Sequence, residues 1–318
     1  MANLIFIKLL YPIYVIIPKT IKGFTIILNT KTILEQFQYF CKQNNPKDME
    51  TALNYFAIFG GLDMKIDTTK PLGKLIERHI LDEYYDLQEY ISKLTKNSLP
   101  YYKVLTGIAL GDRRINSAFK RADVEYDEGI KALHDLEELE VIYTETSIDH
   151  LTNKFEDNDV ADKLLFNAPF LRFWFAFISP LYRGIARTEY KEFYERFNNY
   201  NAEFMQLIFE QLSHEYVKEL FKDDAIEEIG RFWDENNEIN LVAETESGKI
   251  IVGSCRYTNS KMKKTELTRL KELCEKLEIV PDYVLLFSKS GFTNEVKALK
   301  SDGVKLFTVK SLKAILEA

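Results

Sequence analysis

The order of hydrophobic patterns between residues 228 and 309 constrains the fold more than any other feature of the chain. Four segments, "EIGRFW" (228–233), "EINLVAE" (238–244), "IIVGSCRY" (250–257) and "DYVLLFS" (282–288), read as strands, followed by a fifth, "VKLFTV" (304–309). The second and third are joined by the tight turn "TESGK", which permits only antiparallel pairing. A basic helix precedes the fourth strand, and a helix from Thr293 to Lys300 precedes the fifth, the order that returns a chain to start a parallel neighbour. The pattern therefore predicts a mixed sheet with helices packed against it. Directly upstream, "EFMQLIFEQLSHEYVKELF" (203–221) predicts an amphipathic helix. Its stripe is Phe204, Leu207, Ile208, Leu212, Tyr216 and Leu220, and Glu210 lies off the centre of that stripe.

The rest of the 318-residue chain is more than one hydrophobic core usually organises, so further units are expected before this one. Residues 35–96 have helical spacing, with Ala52, Tyr55, Phe56 and Phe59 recurring before Gly60 and Gly61. Over 97–155 the order is that of a winged helix: "LPYYKVLTGIALG", "RINSAFKRA", then "YDEGIKALHDLEELEVIYTET" as a helix running into a strand. Residues 156–200 form an aromatic-rich helical linker, in which Phe170, Phe173, Trp174 and Phe177 mark a buried face. The α/β unit occupies 201–318.

Charge narrows the functions available. With a net charge of -7, any affinity for phosphate must be local. The third helix of the winged-helix region, which in a DNA reader would face bases and phosphates, carries seven acids between Glu125 and Glu140. That helix suits a protein partner better than DNA. The α/β unit reverses sign instead, from -9 over residues 201–250 to +5 over 251–318. Arg256, Lys261, Lys263, Lys264, Arg269 and Lys271 are expected to form a ridge that takes DNA or RNA, with a solvated helix face as the alternative.

Cys41, Cys255 and Cys274 are scattered and never in a CxxC, which fits a reducing cytoplasm and buried thiols. The four histidines lack any metal-ligand spacing. Residues 4–28, within an apolar extension spanning 1–34, carry three lysines and two prolines. An added extension, a membrane or interfacial anchor and a targeting peptide all remain open there, each leaving the remainder cytoplasmic.

Four segments, "NAPFLRFWFAFISP", "IFEQLSHEYV", "IGRFWDENNEINLVA" and "IIVGSCRYTNSKM", resemble the archaeal and bacterial family called domain of unknown function 234. The resemblance extends over roughly residues 35–318, and Gly60-Gly61 matches a Gly-Gly pair at the lid end of an AAA-type ATPase. It implies an ATPase-lid-like segment, a winged helix and a restriction-endonuclease-like α/β domain of the PD-(D/E)xK type. No GxxxxGK[ST] occurs in the chain, so ATP hydrolysis is not expected from it alone; an interaction scaffold working with a separate ATPase is a further alternative. Position by position, the family's helix Glu falls on Glu210, its strand Asp on Asn240, and its Glu-x-Lys on Ser254 and Arg256. Two of the three carboxylates that would hold Mg²⁺ are thus neutral, and an always-protonated Arg replaces the Lys. The expectation is a degenerate nuclease site that needs no cofactor. The alternative is a Mg²⁺-dependent nuclease using Glu210 with Glu238 or Glu244, which share strand parity with Asn240.

Overall fold

The computed structural model describes residues 32–151 and 160–317. The apolar run 4–28, with its anchor and targeting readings, lies outside them. Among the described residues no helix is long and apolar enough to cross a membrane.

The chain opens with helix α1 (Ile33–Asn44), whose start is fixed by a reciprocal capping box between Thr32 and Glu35. Helix α2 (Met49–Phe59) is capped by the Asp48 carboxylate on the Thr51 N–H. Helix α3 (Leu72–Ile76) runs through a π-helical turn, Glu77–Leu81, towards α4 (Tyr84–Leu94). Leu75, Ile76, Ile80, Leu81 and Tyr84 of this stretch are all in the core, and Leu72 packs against it half-buried.

Three helices follow, α5 (Leu99–Ala109), α6 (Ile115–Ala122) and α7 (Tyr126–Glu138), and then strand β1 (Ile142–Glu145). Its antiparallel partner β2 (Lys163–Phe166) pairs Ile142 with Phe166 and Glu145 with Lys163. Strand β2 thus lies within 156–200. The aromatic run forms α8 (Pro169–Phe173), a π-helical turn (Trp174–Ile178), a 3-10 turn (Ser179–Leu181) and α9 (Tyr182–Ile185). Up to Ile178 it is buried on every side, not along one face, because Leu171, Phe175 and Ile178 are as inaccessible as Phe170, Phe173, Trp174 and Phe177. Arg172 within it donates to the carbonyls of Ala109 and Phe204, which lets a guanidinium sit in that interior.

Helix α10 (Lys191–Leu220) leads into the sheet. Strands β3 (Ile226–Trp233), β4 (Glu238–Thr245) and β5 (Ile250–Arg256) are antiparallel neighbours. After α11 (Lys264–Lys276) come β6 (Tyr283–Ser288), α12 (Asn294–Lys297) and β7 (Val304–Thr308), and the pairs β5/β6 and β6/β7 are parallel. The five-stranded sheet has the order β3-β4-β5-β6-β7, the mixed arrangement that the turn and helix connections predict. One face carries Leu241, Ala243, Ile251, Cys255, Leu285 and Phe287 into a large core shared with α10, α1 and α2. The other carries Val242, Val252, Val284 and Leu286 against Leu267, Leu270 and Cys274 of α11.

One irregularity positions the site. Gly230 pairs with Val242, but Phe232 pairs with Ile239, so Arg231 stands opposite two residues, Asn240 and Leu241. Such a bulge turns the extra residue off the alternating pattern and re-aims its side chain.

Candidate functional site

Glu210 is buried on α10, one turn after Gln206. One carboxylate oxygen accepts from the Gln206 amide at 2.7 Å and from the Asn240 amide at 3.0 Å. The other accepts from Arg231 Nε at 3.0 Å. Arg231, 1% exposed, also binds Glu145 at the end of β1, so one guanidinium joins helix, sheet and hairpin. Burial alone would lower the Arg231 pKa, but Glu145 and Glu210 outweigh it and raise the value, keeping the cation charged. One terminal nitrogen of Arg231 and the second oxygen of Glu145 are buried without a hydrogen-bond partner among the described residues.

The same side chains tie down the strands. Gln206 donates to the Cys255 carbonyl at 2.7 Å and accepts from the Tyr257 N–H at 2.8 Å. His214 Nε2 meets the Asn240 carbonyl at 2.7 Å. Burial, with help from Arg231, pushes the His214 pKa down to about 3, so the ring is neutral and donates that bond.

Of the four family positions, Glu210 and Asn240 meet directly. Ser254 and Arg256 do not join them: they alternate on β5 with Cys255, whose side chain belongs to the α10-facing core. Arg256 instead reaches α11, where its Nε and one terminal nitrogen donate to Glu266 at 3.0 and 2.6 Å. Glu238 pairs with Lys163 of β2 at 2.9 Å, and that ammonium also lies 4.5 Å from the centre of the Trp233 ring. Glu244 lies beyond the bulge on the strand phase of Val242, which faces α11, so the shared parity with Asn240 fails.

A Mg²⁺ site does not fit this arrangement. Both Glu210 oxygens already accept hydrogen bonds, and the positive charge beside them is a guanidinium rather than an open position for a hard cation. Among the described residues no group of three or more His, Cys, Asp or Glu side chains is placed to hold a metal ion.

The basic ridge is a separate surface. Lys261, Lys263, Lys264, Arg269 and Lys271 are exposed around the start of α11, and none forms an ion pair among the described residues. The Glu266 contact takes Arg256 out of the ridge.

Sequence reading passed over Arg231, Glu145 and Lys163. A signal was available in "GRFW", since a cation flanked by strand aromatics must be buried with a counter-charge. The identity of that counter-charge, 86 residues away, had no local trace.

No curated protein and no solved structure matches the chain. Residues 174–268, from the aromatic run through α10 and the first three sheet strands into α11, match the model of domain of unknown function 234, a family of archaeal and bacterial proteins of unknown function.

Proposed function

We propose that this chain binds nucleic acid through the ridge at the start of α11, and that its nuclease-like site serves as a structural joint without cleaving. The observation that carries the reading is the set of five exposed cations, Lys261, Lys263, Lys264, Arg269 and Lys271, without carboxylate partners among the described residues. Unpaired cations release counterions from phosphate on contact. The three-helix unit with its hairpin has the order of a winged helix, yet its α7 turns Glu125, Asp127, Glu128 and Glu138 to solvent. That acidic face supports a second reading in which a basic protein surface, a separate ATPase included, docks on α7 while α11 holds nucleic acid.

The test is fluorescence anisotropy with single-stranded and duplex DNA and RNA over a range of salt, with Mg²⁺ or with chelator. Binding is expected to ignore the metal and to weaken with salt at a log–log slope of about -3 to -4.5, as for four or five phosphate contacts. Lys263→Glu with Lys264→Glu and Arg269→Glu should reduce affinity more than tenfold. Retention that is insensitive to salt or unchanged in this variant refutes the reading. Mg²⁺-dependent cleavage that disappears in Glu210→Ala would replace it with the nuclease.

A further inference from the structure

Away from both the Glu210 joint and the α11 ridge, a cleft of about 560 Å³ opens between α5, α6 and α10. That size suits a small organic ligand, and most such sites combine apolar walls with a few fixed polar groups. Here Tyr102, Leu110 and Ala122 supply apolar surface, and the polar groups include Lys103, Arg121, Arg196 and Glu203.

The cations differ in what they have left to offer. Arg121 is spent on the fold: it donates to the carbonyl of Gly107 at 2.9 Å and to Asp112 at 2.9 Å. Its guanidinium crowds Gly111, where φ is +83° and an added Cβ would come within 3.1 Å of it, so glycine is required there. Lys103 donates to the Asp123 carbonyl at 2.7 Å. Arg196 is held only through Nε, which donates to the Ala176 carbonyl at 2.7 Å. Its two terminal nitrogens have no partner among the described residues, and its guanidinium stands 5.3 Å from the centre of the Tyr200 ring. The one carboxylate on the wall, Glu203, already accepts from the Gly111 N–H at 2.7 Å.

The geometry points to a site for a planar aromatic anion of mononucleotide size. The anionic group pairs with the forked terminal nitrogens of Arg196, which suit a phosphate or carboxylate, and the ring stacks on the face of Tyr200 that the Arg196 guanidinium leaves open. A neutral nucleoside keeps the stacking and loses the fork. Inorganic phosphate keeps the fork and loses the ring.

Isothermal titration of the full chain with adenosine 5′-monophosphate tests this, with adenosine and inorganic phosphate as separate arms. Saturable binding of the monophosphate is expected, at least tenfold tighter than either arm. Arg196→Gln should weaken it more than tenfold, and Tyr200→Ser, an exposed position that leaves the fold intact, several-fold. The Lys263→Glu/Lys264→Glu/Arg269→Glu variant should bind as the wild type does, which separates this site from the ridge. Absence of saturable binding, equal affinity for all three probes, or binding unchanged in both cleft variants overturns the proposal.

Discussion

A cation fully enclosed by two carboxylates is held by its partners, so Arg231 shows its value when it is removed. Replacing it with Met leaves the buried Glu210 and the half-buried Glu145 without their counter-charge. Breaking a buried pair in this way removes about 3–5 kcal/mol, whereas neutralising all members together is far milder. Urea unfolding should therefore show a large loss for Arg231→Met, and much of it should return when Glu145→Gln and Glu210→Gln are added. His214 gives a second handle at this scale. Its pKa is about 3 in the fold against 6.5 for an unperturbed imidazole, so between those values the unfolded chain binds the extra proton. The stabilisation from keeping this ring neutral is complete above about pH 6.5 and is lost as pH falls towards 3, at up to about 1.4 kcal/mol per pH unit. Unfolding midpoints measured from pH 7 down to 5 should fall less steeply in His214→Gln than in the wild type.

At the scale of elements, β5 lies between β4 and β6 and leaves no room at its centre. A Cβ on Gly253 would stand 2.9 Å from the Leu285 carbonyl oxygen of β6 and 3.2 Å from the Leu241 side chain of β4. The nearer atom is backbone, so the contact cannot be relieved by a rotamer change. Gly253→Ala should lower stability by about 1–3 kcal/mol in denaturant unfolding, and a simultaneous Leu241→Ala should not restore it. The five sheet strands were legible in the sequence because each alternates or is flanked by turn residues, and their pairing followed from the connections. Strand β2 was not: "KLLF" is short and buried on both sides, so no alternation marks it. The first turns of α10 fall in the helical linker of the sequence, and their continuity with 203–221 has no marker because Phe193 and Phe197 are the only buried residues there. Glu210 and Asn240 could be picked out by position, but strand parity could not reveal that the bulge opposite Arg231 sends Asn240 towards α10 and leaves Glu244 on the other face.

For the whole molecule, one apolar core runs from Phe37 through the aromatic run and α10 to the sheet, and on to Ile315 in the 3-10 stretch Val309–Leu316. The units that sequence separates are therefore mechanically joined. Tyr257 after β5 donates to Asn54 of α2 at 2.7 Å, and Lys289 pairs with Glu50 at 3.2 Å. Calorimetry should give a single unfolding transition. Leu312→Ala, at a fully buried position, should shift that whole transition by the equivalent of about 2–5 kcal/mol rather than split it. The contact between the Gln38 amide and the Ile315 carbonyl, 277 residues apart, reaches beyond stability to the order of events during synthesis. Helices α1 and α2 leave the ribosome well before the residues that close their flank exist. Phe37 and Phe56 thus wait in an unfinished core until Ile315 has been made, in the state that chaperones engage on a nascent chain.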